Sequence, residues 1–241
     1  MTKHLIIIAT YNEKGNIEKL ISEIFAVVPH VNILVIDDNS PDKTYEIVEK
    51  LAKDKYNDNL FLMKRAAKLG LGTAYIAGFN WGIERQYDVI MHMDADFSHH
   101  PRYIPEFFEA IKTNDLVLGS RYIKGGGVVN WGFKRKLISM GGSLYSRVIL
   151  GLKTRDLTGG FKCFRRKALE SIDVNNLKST GYSFQVETTY KAFLNGFKIK
   201  EIPIIFEDRV VGQSKMSSGI FVEALLMVIK LRLSVKKINP K

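Results

Sequence analysis

The sequence alternates short apolar runs with stretches of helical periodicity, which predicts an α/β fold built on a mostly parallel sheet. Apolar side chains in residues 17–28 recur at the i, i+3, i+4, i+7 spacing of a one-sided helix. Ser40 and Pro41 predict the start of a second helix, with serine as its N-cap, and residues 73–82 predict a third. The predicted strands cover residues 5–9, 33–37, 60–63, 89–93 and 116–118.

The length of 241 residues is ample for one large domain with a sizeable core. We predict a catalytic domain over residues 1–218, followed by an amphipathic helix and a basic tail over residues 219–241. The single Cys163 excludes a disulfide framework and a sulfur-rich metal site. A reducing, cytoplasmic compartment fits this cysteine usage.

The net charge of +11 predicts an anionic partner. No DNA-binding or RNA-binding motif is present and most basic residues are dispersed, so the sequence does not favour nucleic acid. No apolar run reaches the roughly 18 residues that a membrane-spanning helix requires, and no secretory signal peptide is apparent. We therefore do not expect this chain to be an integral membrane protein by itself.

Two carboxylates follow the fourth predicted strand, in the order Asp94-Ala95-Asp96. Residues i and i+2 project to the same side of an extended chain, so both carboxylates can bind one Mg²⁺ or Mn²⁺ whose other ligands are phosphate and water. Ligands of open α/β sheets bind beyond the carboxyl ends of the strands. This pattern predicts a metal-diphosphate site, and a polar turn after a strand is the alternative.

Acidic side chains also follow the first two predicted strands, with Glu13 in one loop and Asp37, Asp38 and Asp42 in the other. Carboxylates repel phosphate, so we expect them to accept hydrogen bonds from a nucleobase or ribose, or to join a metal. The alternative is that they are turn and cap residues. The glycine motifs of dinucleotide-binding and P-loop proteins are missing, which argues against those two classes.

Six segments, in this order and spacing, resemble the family 2 glycosyltransferases of the GT-A fold. They are Ala-Thr-Tyr-Asn-Glu at 9–13, Asp-Asp-Asn-Ser-Pro-Asp at 37–42, Asp-Ala-Asp-Phe-Ser-His-His-Pro at 94–101, Gly-Ser-Arg-Tyr at 119–122, Asp-Leu-Thr-Gly-Gly-Phe at 156–161 and Arg-Val-Val-Gly-Gln-Ser-Lys at 209–215. The third, fifth and sixth segments resemble more narrowly the dolichol-phosphate, or polyprenol-phosphate, mannose synthases. The resemblance implies a Rossmann-like, mostly parallel central sheet flanked by helices.

The resemblance also implies where a nucleotide-sugar donor binds. It implies Mg²⁺ or Mn²⁺ as the cofactor, held by Asp94, Asp96 and Ser98, where Ser98 replaces the glutamine of many members. The residues that it implies around the donor nucleotide are Ala9, Tyr11, Glu13, Asp37, Asp38, Lys68, Asp94 and Lys215.

The implied reaction is the metal-dependent, inverting transfer of mannose from GDP-mannose to dolichyl or polyprenyl monophosphate. The second pKa of a phosphate monoester is about 6, so this acceptor is anionic near neutral pH and needs cations more than a general base. Asp96, Arg121 and Arg209 are the implied catalytic residues. The implied acceptor-phosphate residues are Arg121, Arg135, Arg209 and Gln185. From the residues alone, an arginine at a strand end, such as Arg121, is more often part of a surface ion pair, and a cap of the next element is the alternative for Asp156.

Residues 134–150 and 220–233 are apolar on one side with basic residues nearby, which predicts interfacial helices on an anionic membrane surface. Core helices packed on the sheet are the alternative. We expect a peripheral protein on the cytoplasmic face of a membrane. A membrane protein as binding partner is left open. His92 alternates within a strand and is predicted to be packed, whereas His99 and His100 are predicted to lie on a loop surface.

Two other functions remain open at this point. One is the transfer of glucose or N-acetylhexosamine from a UDP-sugar to a lipid phosphate or a saccharide. The other is a non-catalytic module that binds a nucleotide sugar. The separate acidic and basic groups disfavour the module, because binding a donor alone does not require cations for a second substrate.

Overall fold

The computed structural model describes residues 2–177, 179, 181–207 and 218–234. Its strands are β1 (His4–Thr10), β2 (Asn32–Asp37), β3 (Leu60–Lys64), β4 (Val89–Asp94), β5 (Leu116–Ser120), β6 (Gly127–Val129), β7 (Lys162–Arg165), β8 (Ile199–Pro203) and β9 (Ile205–Glu207). Its α-helices are α1 (Ile17–Val27), α2 (Thr44–Asp54), α3 (Leu71–Glu84), α4 (Ile104–Ala110), α5 (Phe133–Leu150), α6 (Arg166–Ser171), α7 (Gly181–Leu194) and α8 (Ser218–Ser234). Short 3₁₀ helices span Pro101–Tyr103 and Val174–Asn176.

The central sheet has the strand order β3-β2-β1-β4-β7-β5-β8 within the described residues. Strand β7 runs antiparallel to both of its neighbours, and the other adjacent pairs are parallel. Strands β6 and β9 form a separate parallel ribbon. The carboxyl ends of β1, β2, β4 and β5 therefore share one edge of the sheet, and this edge also receives the amino end of β7.

Helices cover both faces of the sheet, as a parallel sheet requires. Because successive strand residues point to opposite faces, Ile6 and Ile8 of β1 pack with residues of α1, α2 and α4. Leu5 and Ile7 pack on the other face with residues of α3, α6 and α7. The predicted α/β class with a mostly parallel sheet is confirmed.

The predicted helix start at Ser40 is wrong, because α2 begins at Thr44. The Ser40 hydroxyl donates to Asp37 Oδ2 over 2.6 Å and so belongs to the turn after β2. Asp42 accepts a 3.0 Å hydrogen bond from the Thr44 amide, and Lys43 occupies the N-cap position with a positive φ of 63°. The polar residues of this segment therefore build a turn before the helix starts.

Helix α3 lies very close to the sheet at Gly78, as its small residues predict. A Cβ atom at Gly78 would lie 2.8 Å from Ile36 Cδ1 and 2.8 Å from Ile7 Cγ2. Gly142, in the middle of α5, has no described atom within 4 Å of the same position. One glycine is therefore required by packing, and the other is not.

These two glycines provide a matched test of the packing. We expect Gly78→Ala to lower the free energy of unfolding by about 1 kcal/mol or more, since overpacking outweighs the gain in helix propensity. Gly142→Ala should raise it by up to about 1 kcal/mol, because only the propensity changes. Urea denaturation of both variants measures the difference, and equal changes would contradict the close approach of α3.

Candidate active site

Polar residues end the four strands that meet at one edge of the sheet. The register places Ala9 of β1 beside Asp94 of β4 and Thr10 beside Asp37 of β2. We call residues 94–98, after β4, the acidic turn, and residues 10–13 and 37–42, after β1 and β2, the donor loops. The register therefore places the acidic turn beside the donor loops. Residues 156–161 enter the same edge, because they lead into the antiparallel strand β7.

The turn after β4 presents hard oxygen atoms. The Asp94 side chain is 28% exposed, whereas Asp96 is buried and its Oδ1 accepts a 3.1 Å hydrogen bond from the Ser98 amide. Ser98 Oγ is buried in this turn without a hydrogen-bond partner among the described residues. A buried, unsatisfied hydroxyl next to carboxylates suits a hard divalent cation.

The described part of the chain contains no group of three or more His, Cys, Asp and Glu side chains arranged to hold a metal. Asp94, Asp96 and the Ser98 hydroxyl together would leave coordination positions for other ligands. Mg²⁺ in particular commonly keeps waters and substrate phosphates in such positions. The donor set therefore fits a cation that binds together with a diphosphate.

Tyr75 and His99 hold Asp94 in place. The Tyr75 hydroxyl lies 3.1 Å from Asp94 Oδ1 and 3.2 Å from the Met93 carbonyl, and His99 Nδ1 accepts a 3.0 Å hydrogen bond from the Asp94 amide. Burial, and then the charge of Asp94, raise the pKa of Tyr75 well above its ordinary value, so it stays a donor. These contacts fix the conformation of the acidic turn in the absence of a ligand.

The prediction that His99 lies on a loop surface is wrong. Its ring is buried and stacks on the Phe161 ring, with the ring centres 4.8 Å apart. The imidazole lies inside the turn because it accepts the hydrogen bond of the Asp94 amide. His100 is partly exposed and its Nδ1 accepts a hydrogen bond from the Arg102 amide. The prediction that His92 is a packed histidine is confirmed, because it is fully buried.

Asp37 and Asp38 shape the donor loops from inside. Asp37 is fully buried and accepts hydrogen bonds from the Thr10 hydroxyl at 2.8 Å and from the Ser40 amide at 2.8 Å. Asp38 accepts from Arg65 Nε at 2.5 Å and from the Leu69 amide at 3.2 Å. This geometry favours the interpretation as turn residues, and contact of either carboxylate with a base stays a prediction.

Tyr11 and Lys68 form one wall at the donor side. Lys68 Nζ lies 3.8 Å from the centre of the Tyr11 ring, and this cation–π contact joins the loop after β1 to the loop before α3. Glu13 is held by its amide, which donates to Thr44 Oγ1 over 3.0 Å, and its Oε2 accepts from Asn16. An aromatic ring beside an ammonium group suits a planar base followed by phosphates.

Arg121 and Asp156 form a buried, bidentate ion pair. Arg121 Nε and Nη2 each lie 2.7 Å from an oxygen of Asp156, and Nη2 also donates to Thr158 Oγ1 over 2.9 Å. Burial alone would raise the pKa of Asp156, but the Arg121 guanidinium outweighs it and lowers that pKa below the ordinary value. Neither a surface ion pair for Arg121 nor a helix cap for Asp156 describes this arrangement.

A cluster of aromatic rings surrounds Arg121. Its guanidinium carbon lies 5.4 Å from the ring centres of both Trp131 and Phe206, and that of Arg135 lies 4.3 Å from the Trp131 ring. The structure thus brings two of the predicted acceptor cations to one tryptophan, which sequence reasoning missed. A tryptophan in a polar segment directly before a basic helix was the available signal. Arg209 and Lys215 lie outside the described residues.

Gln185, predicted to contact the acceptor phosphate, is buried on α7 beside the acidic turn. Its Oε1 lies 3.2 Å from His92 Nε2. A Cβ atom at Gly160 would lie 3.5 Å from Gln185 Nε2 and 3.6 Å from Asp94 Oδ1. Gln185 is therefore close to the acidic turn. Glu187, on the same helix, accepts a 2.9 Å hydrogen bond from the Ser179 amide, which is a structural role.

The sequence profile described as Glycosyl transferase family 2 matches residues 5–173. The chain belongs to glycosyltransferase family 2. This assignment confirms the resemblance found in the sequence and the prediction of a glycosyltransferase.

Similar proteins include two bacterial glycosyltransferases of this family. The undecaprenyl-phosphate mannosyltransferase of Micrococcus luteus is 44% identical over 232 residues, which cover 96% of this chain and 95% of that protein. The polyprenol monophosphomannose synthase of Mycolicibacterium smegmatis is 43% identical over 225 residues, which cover 93% of this chain and 84% of that protein.

Solved structures with a similar fold include glucosyl-3-phosphoglycerate synthase from Mycobacterium tuberculosis. With phosphoglyceric acid bound it matches at a TM-score of 0.68 and 18% identity, covering 100% of this chain and 82% of that chain. With Mn²⁺, UDP and glucosyl-3-phosphoglycerate bound, the TM-score is 0.66 at the same 18% identity and coverage of 100% and 82%. At this identity the likeness concerns the fold, and it confirms the predicted GT-A fold of this glycosyltransferase.

The buried Arg121–Asp156 pair makes a testable prediction about stability. Asp156→Asn should lower the free energy of unfolding at pH 7 by roughly 3 kcal/mol, because it leaves the Arg121 guanidinium buried without its countercharge. Arg121 holds the folded pKa of Asp156 below the unfolded value, so this contribution is present above about pH 4 and is lost as the pH falls through the folded pKa. The difference between wild type and variant should narrow in acid.

Guanidinium denaturation between pH 3 and pH 7 measures this difference, with pH values chosen to bracket the usual aspartate pKa of about 3.9. Glu109→Gln is the control, since Glu109 forms an exposed pair with Lys112 and exposed pairs add little. Equal effects of the two substitutions at pH 7 would contradict the role of the buried pair.

Proposed function

We propose that this glycosyltransferase transfers mannose from GDP-mannose to a polyprenyl monophosphate such as dolichyl phosphate, with inversion at the anomeric carbon. The observation that carries the proposal is the division of one sheet edge into an acidic turn and a cationic, aromatic cluster. The acidic turn contains Asp94, Asp96 and Ser98, and the cluster contains Arg121 and Arg135 around Trp131. The names of the two bacterial relatives support a mannosyl donor and a polyprenyl phosphate acceptor.

On the donor side, Asp94, Asp96 and Ser98 would hold Mg²⁺ or Mn²⁺. Such a cation, when bound, stabilises the negative charge that develops on a departing nucleoside diphosphate. Tyr75 and His99 keep Asp94 oriented, so little reorganisation is needed when the donor binds. In this proposal the Tyr11 ring stacks on the base, and Lys68 lies near the phosphates.

On the acceptor side, a phosphate oxygen attacks the anomeric carbon while the bond from that carbon to the diphosphate oxygen breaks. The electron pair of the broken bond leaves with GDP, and the phosphate needs no strong base because it is already ionised near neutral pH. Arg121 and Arg135 would hold this anion near the donor. Asp156 fixes the orientation of the Arg121 guanidinium, and Arg209 remains a proposed third cation.

A polyprenyl acceptor also requires contact with lipid. Helices α5 and α8 pack together, with the Tyr145 hydroxyl 3.1 Å from the Leu225 carbonyl, and both expose apolar side chains. We call this surface the apolar face. It consists of Phe133, Leu137, Ile138, Met140, Leu144 and Val148 on α5, and Leu226, Ile229 and Leu233 on α8.

None of the described helices is both long and apolar enough to cross a membrane. We propose that the apolar face lies in the interfacial region of a bilayer, where the exposed Lys136 and Arg232 would meet anionic headgroups. The alternative of two core helices does not account for this exposed surface. The predicted basic tail lies outside the described residues. The predicted boundary between the catalytic domain and the C-terminal helix, at residue 218, stays a proposal. Helix α8 itself packs on α5 and α7.

The donor, the acceptor and the metal are tested by one labelling experiment. Purified protein is incubated with a short polyprenyl phosphate and labelled GDP-mannose, UDP-glucose or UDP-N-acetylglucosamine, with and without Mn²⁺. We expect organic-extractable label only from GDP-mannose with the metal. Label from a UDP-sugar alone would favour the competing transferase, and none from any donor would favour a binding module.

The variant Asp96→Asn should lower this turnover by at least about 100-fold, because it weakens the site that stabilises the leaving diphosphate. It should also weaken Mn²⁺ binding measured by calorimetry, with little change in unfolding free energy, since the side-chain oxygen of asparagine still accepts the hydrogen bond from the Ser98 amide. Asp54→Asn, at the exposed end of α2, is the charge-matched control. A near-normal rate in Asp96→Asn would refute the metal role.

Membrane binding is tested on the apolar face. Transfer of one leucine or phenylalanine out of water is worth roughly 1.5–3 kcal/mol, so the double variant Phe133→Ser and Leu144→Ser should bind phosphatidylglycerol vesicles at least about tenfold more weakly. These side chains are 80% and 55% exposed, so the fold should be unaffected. Val27→Ser is the control, because Val27 is 39% exposed on α1. Unchanged co-sedimentation of the double variant would exclude this face.

A further inference from the structure

Lys162 has a buried amine that the proposed reaction does not use. It lies on β7 with no exposed surface. Its Nζ donates one hydrogen bond to the Gln185 carbonyl and another, over 3.0 Å, to Thr189 Oγ1. Burial lowers the pKa of Lys162 to about 7. An ammonium group is costly to bury, and an apolar side chain would fill the same volume without that cost. The position therefore requires an explanation.

All the hydrogen-bond acceptors described for Lys162 belong to α7. They are the Gln185 carbonyl and the hydroxyls of Thr188 and Thr189. Lys162 thus ties this helix to the middle of the sheet at Gln185, whose side-chain amide lies close to the turn after β4. The bond to the Gln185 carbonyl fixes the backbone from which that side chain projects.

His92 fixes the other end of Gln185. His92 of β4 is the register partner of Lys162 on the antiparallel strand β7, so both side chains leave the same face of the sheet. His92 Nε2 lies 3.2 Å from Gln185 Oε1, and the rings of Tyr75 and Phe164 pack on the imidazole. Hydrogen bonds in such dry surroundings are strong, and they hold one orientation of the amide.

With Oε1 turned to His92, the amide nitrogen of Gln185 faces Gly160. A Cβ atom there would lie 3.5 Å from that nitrogen, 3.6 Å from Asp94 Oδ1 and 3.4 Å from His99 Cε1. These are ordinary contact distances, so the amide nitrogen of Gln185 and the carboxylate of Asp94 border the same small space beside Gly160. In a nucleotide sugar, the diphosphate is flanked by the transferred sugar on one side and by the ribose of the nucleoside on the other, and both carry hydroxyl groups.

We propose that Lys162 and His92 are positioning residues that orient Gln185, so that its side-chain amide donates hydrogen bonds to hydroxyl oxygens of the transferred sugar beside Asp94. The inference rests on the proposed hexosyl donor. It assigns Gln185 to the donor sugar instead of the acceptor phosphate. It also gives the buried Lys162 amine a task, as a hydrogen-bond donor, that an apolar residue could not perform.

The test compares Lys162→Met, Gln185→Met and the double variant with wild type, using GDP-mannose, a short polyprenyl phosphate and Mn²⁺. Each single variant should lower kcat/KM for GDP-mannose roughly tenfold or more, because a hydrogen bond to the sugar is lost or misdirected. The affinity for GDP with Mn²⁺, measured by calorimetry, should stay unchanged, since GDP carries no sugar at this position. The double variant should be no worse than Gln185→Met, because Lys162 acts through Gln185.

Tyr190→Phe is the matched control on the same helix. The Tyr190 hydroxyl is buried and has no hydrogen-bond partner in the described part of the chain, so its removal should leave both measurements unchanged. His92→Phe replaces Lys162→Met if the latter fails to fold, and the same pattern is expected. Losses that multiply in the double variant, or an equal loss of GDP affinity, would overturn the proposal.

A crystal structure of Lys162→Met gives a readout that does not depend on the donor. We expect the Gln185 amide to leave its position between His92 and Gly160, and an unmoved amide would overturn the positioning role. Wild-type protein that transfers nothing from GDP-mannose would instead refute the proposed function. The crystal structure would still decide whether Lys162 orients Gln185.

Discussion

Asp94 and Asp96 carry like charges in one turn, and the structure around them opposes that repulsion before any cation binds. The Asp94 carboxylate meets the Tyr75 hydroxyl, its amide is satisfied by His99, and the Asp96 carboxylate accepts the Ser98 amide. Each partner comes from a helix, a strand end or a turn that the sheet fixes. If this turn binds a metal-diphosphate, as we propose, the preorganisation strengthens binding, because carboxylates that must first be ordered bind more weakly.

The antiparallel strand β7 determines how the rest of the site is arranged. Because β7 lies between β4 and β5 and runs against both, the loop before it enters the edge where β4 and β5 end. Asp156 in that loop pairs with Arg121 at the end of β5, whereas Gly160 lies against Asp94 at the end of β4. A single loop thus spans from the cationic cluster to the acidic turn.

Local pattern predicted β1 to β5, α1, α3, α5 and the acidic turn, because apolar run length and the Asp-Ala-Asp spacing are properties of adjacent residues. It failed where the outcome depended on partners distant in sequence. Asp156 lies 35 residues from Arg121, so a buried pair could not be distinguished from a cap and a surface arginine. The burial of His99 and the internal bonds of Asp37 likewise depend on how β1, β2 and β4 align. The wrong helix start at Ser40 has a different cause, because the bond from the Ser40 hydroxyl to Asp37 is local, and serine followed by proline is typical of both a turn and a helix start.

Helix α5 begins at Phe133 and carries Arg135 in its first turn, so one rigid element holds both a phosphate-binding candidate and most of the apolar face. If that face lies in lipid, the acceptor reaches Arg135 by lateral diffusion within its leaflet and does not pass through water. The rate of transfer then depends on the surface concentration of the acceptor. Diluting the bilayer with other lipids would therefore slow the enzyme as much as removing acceptor.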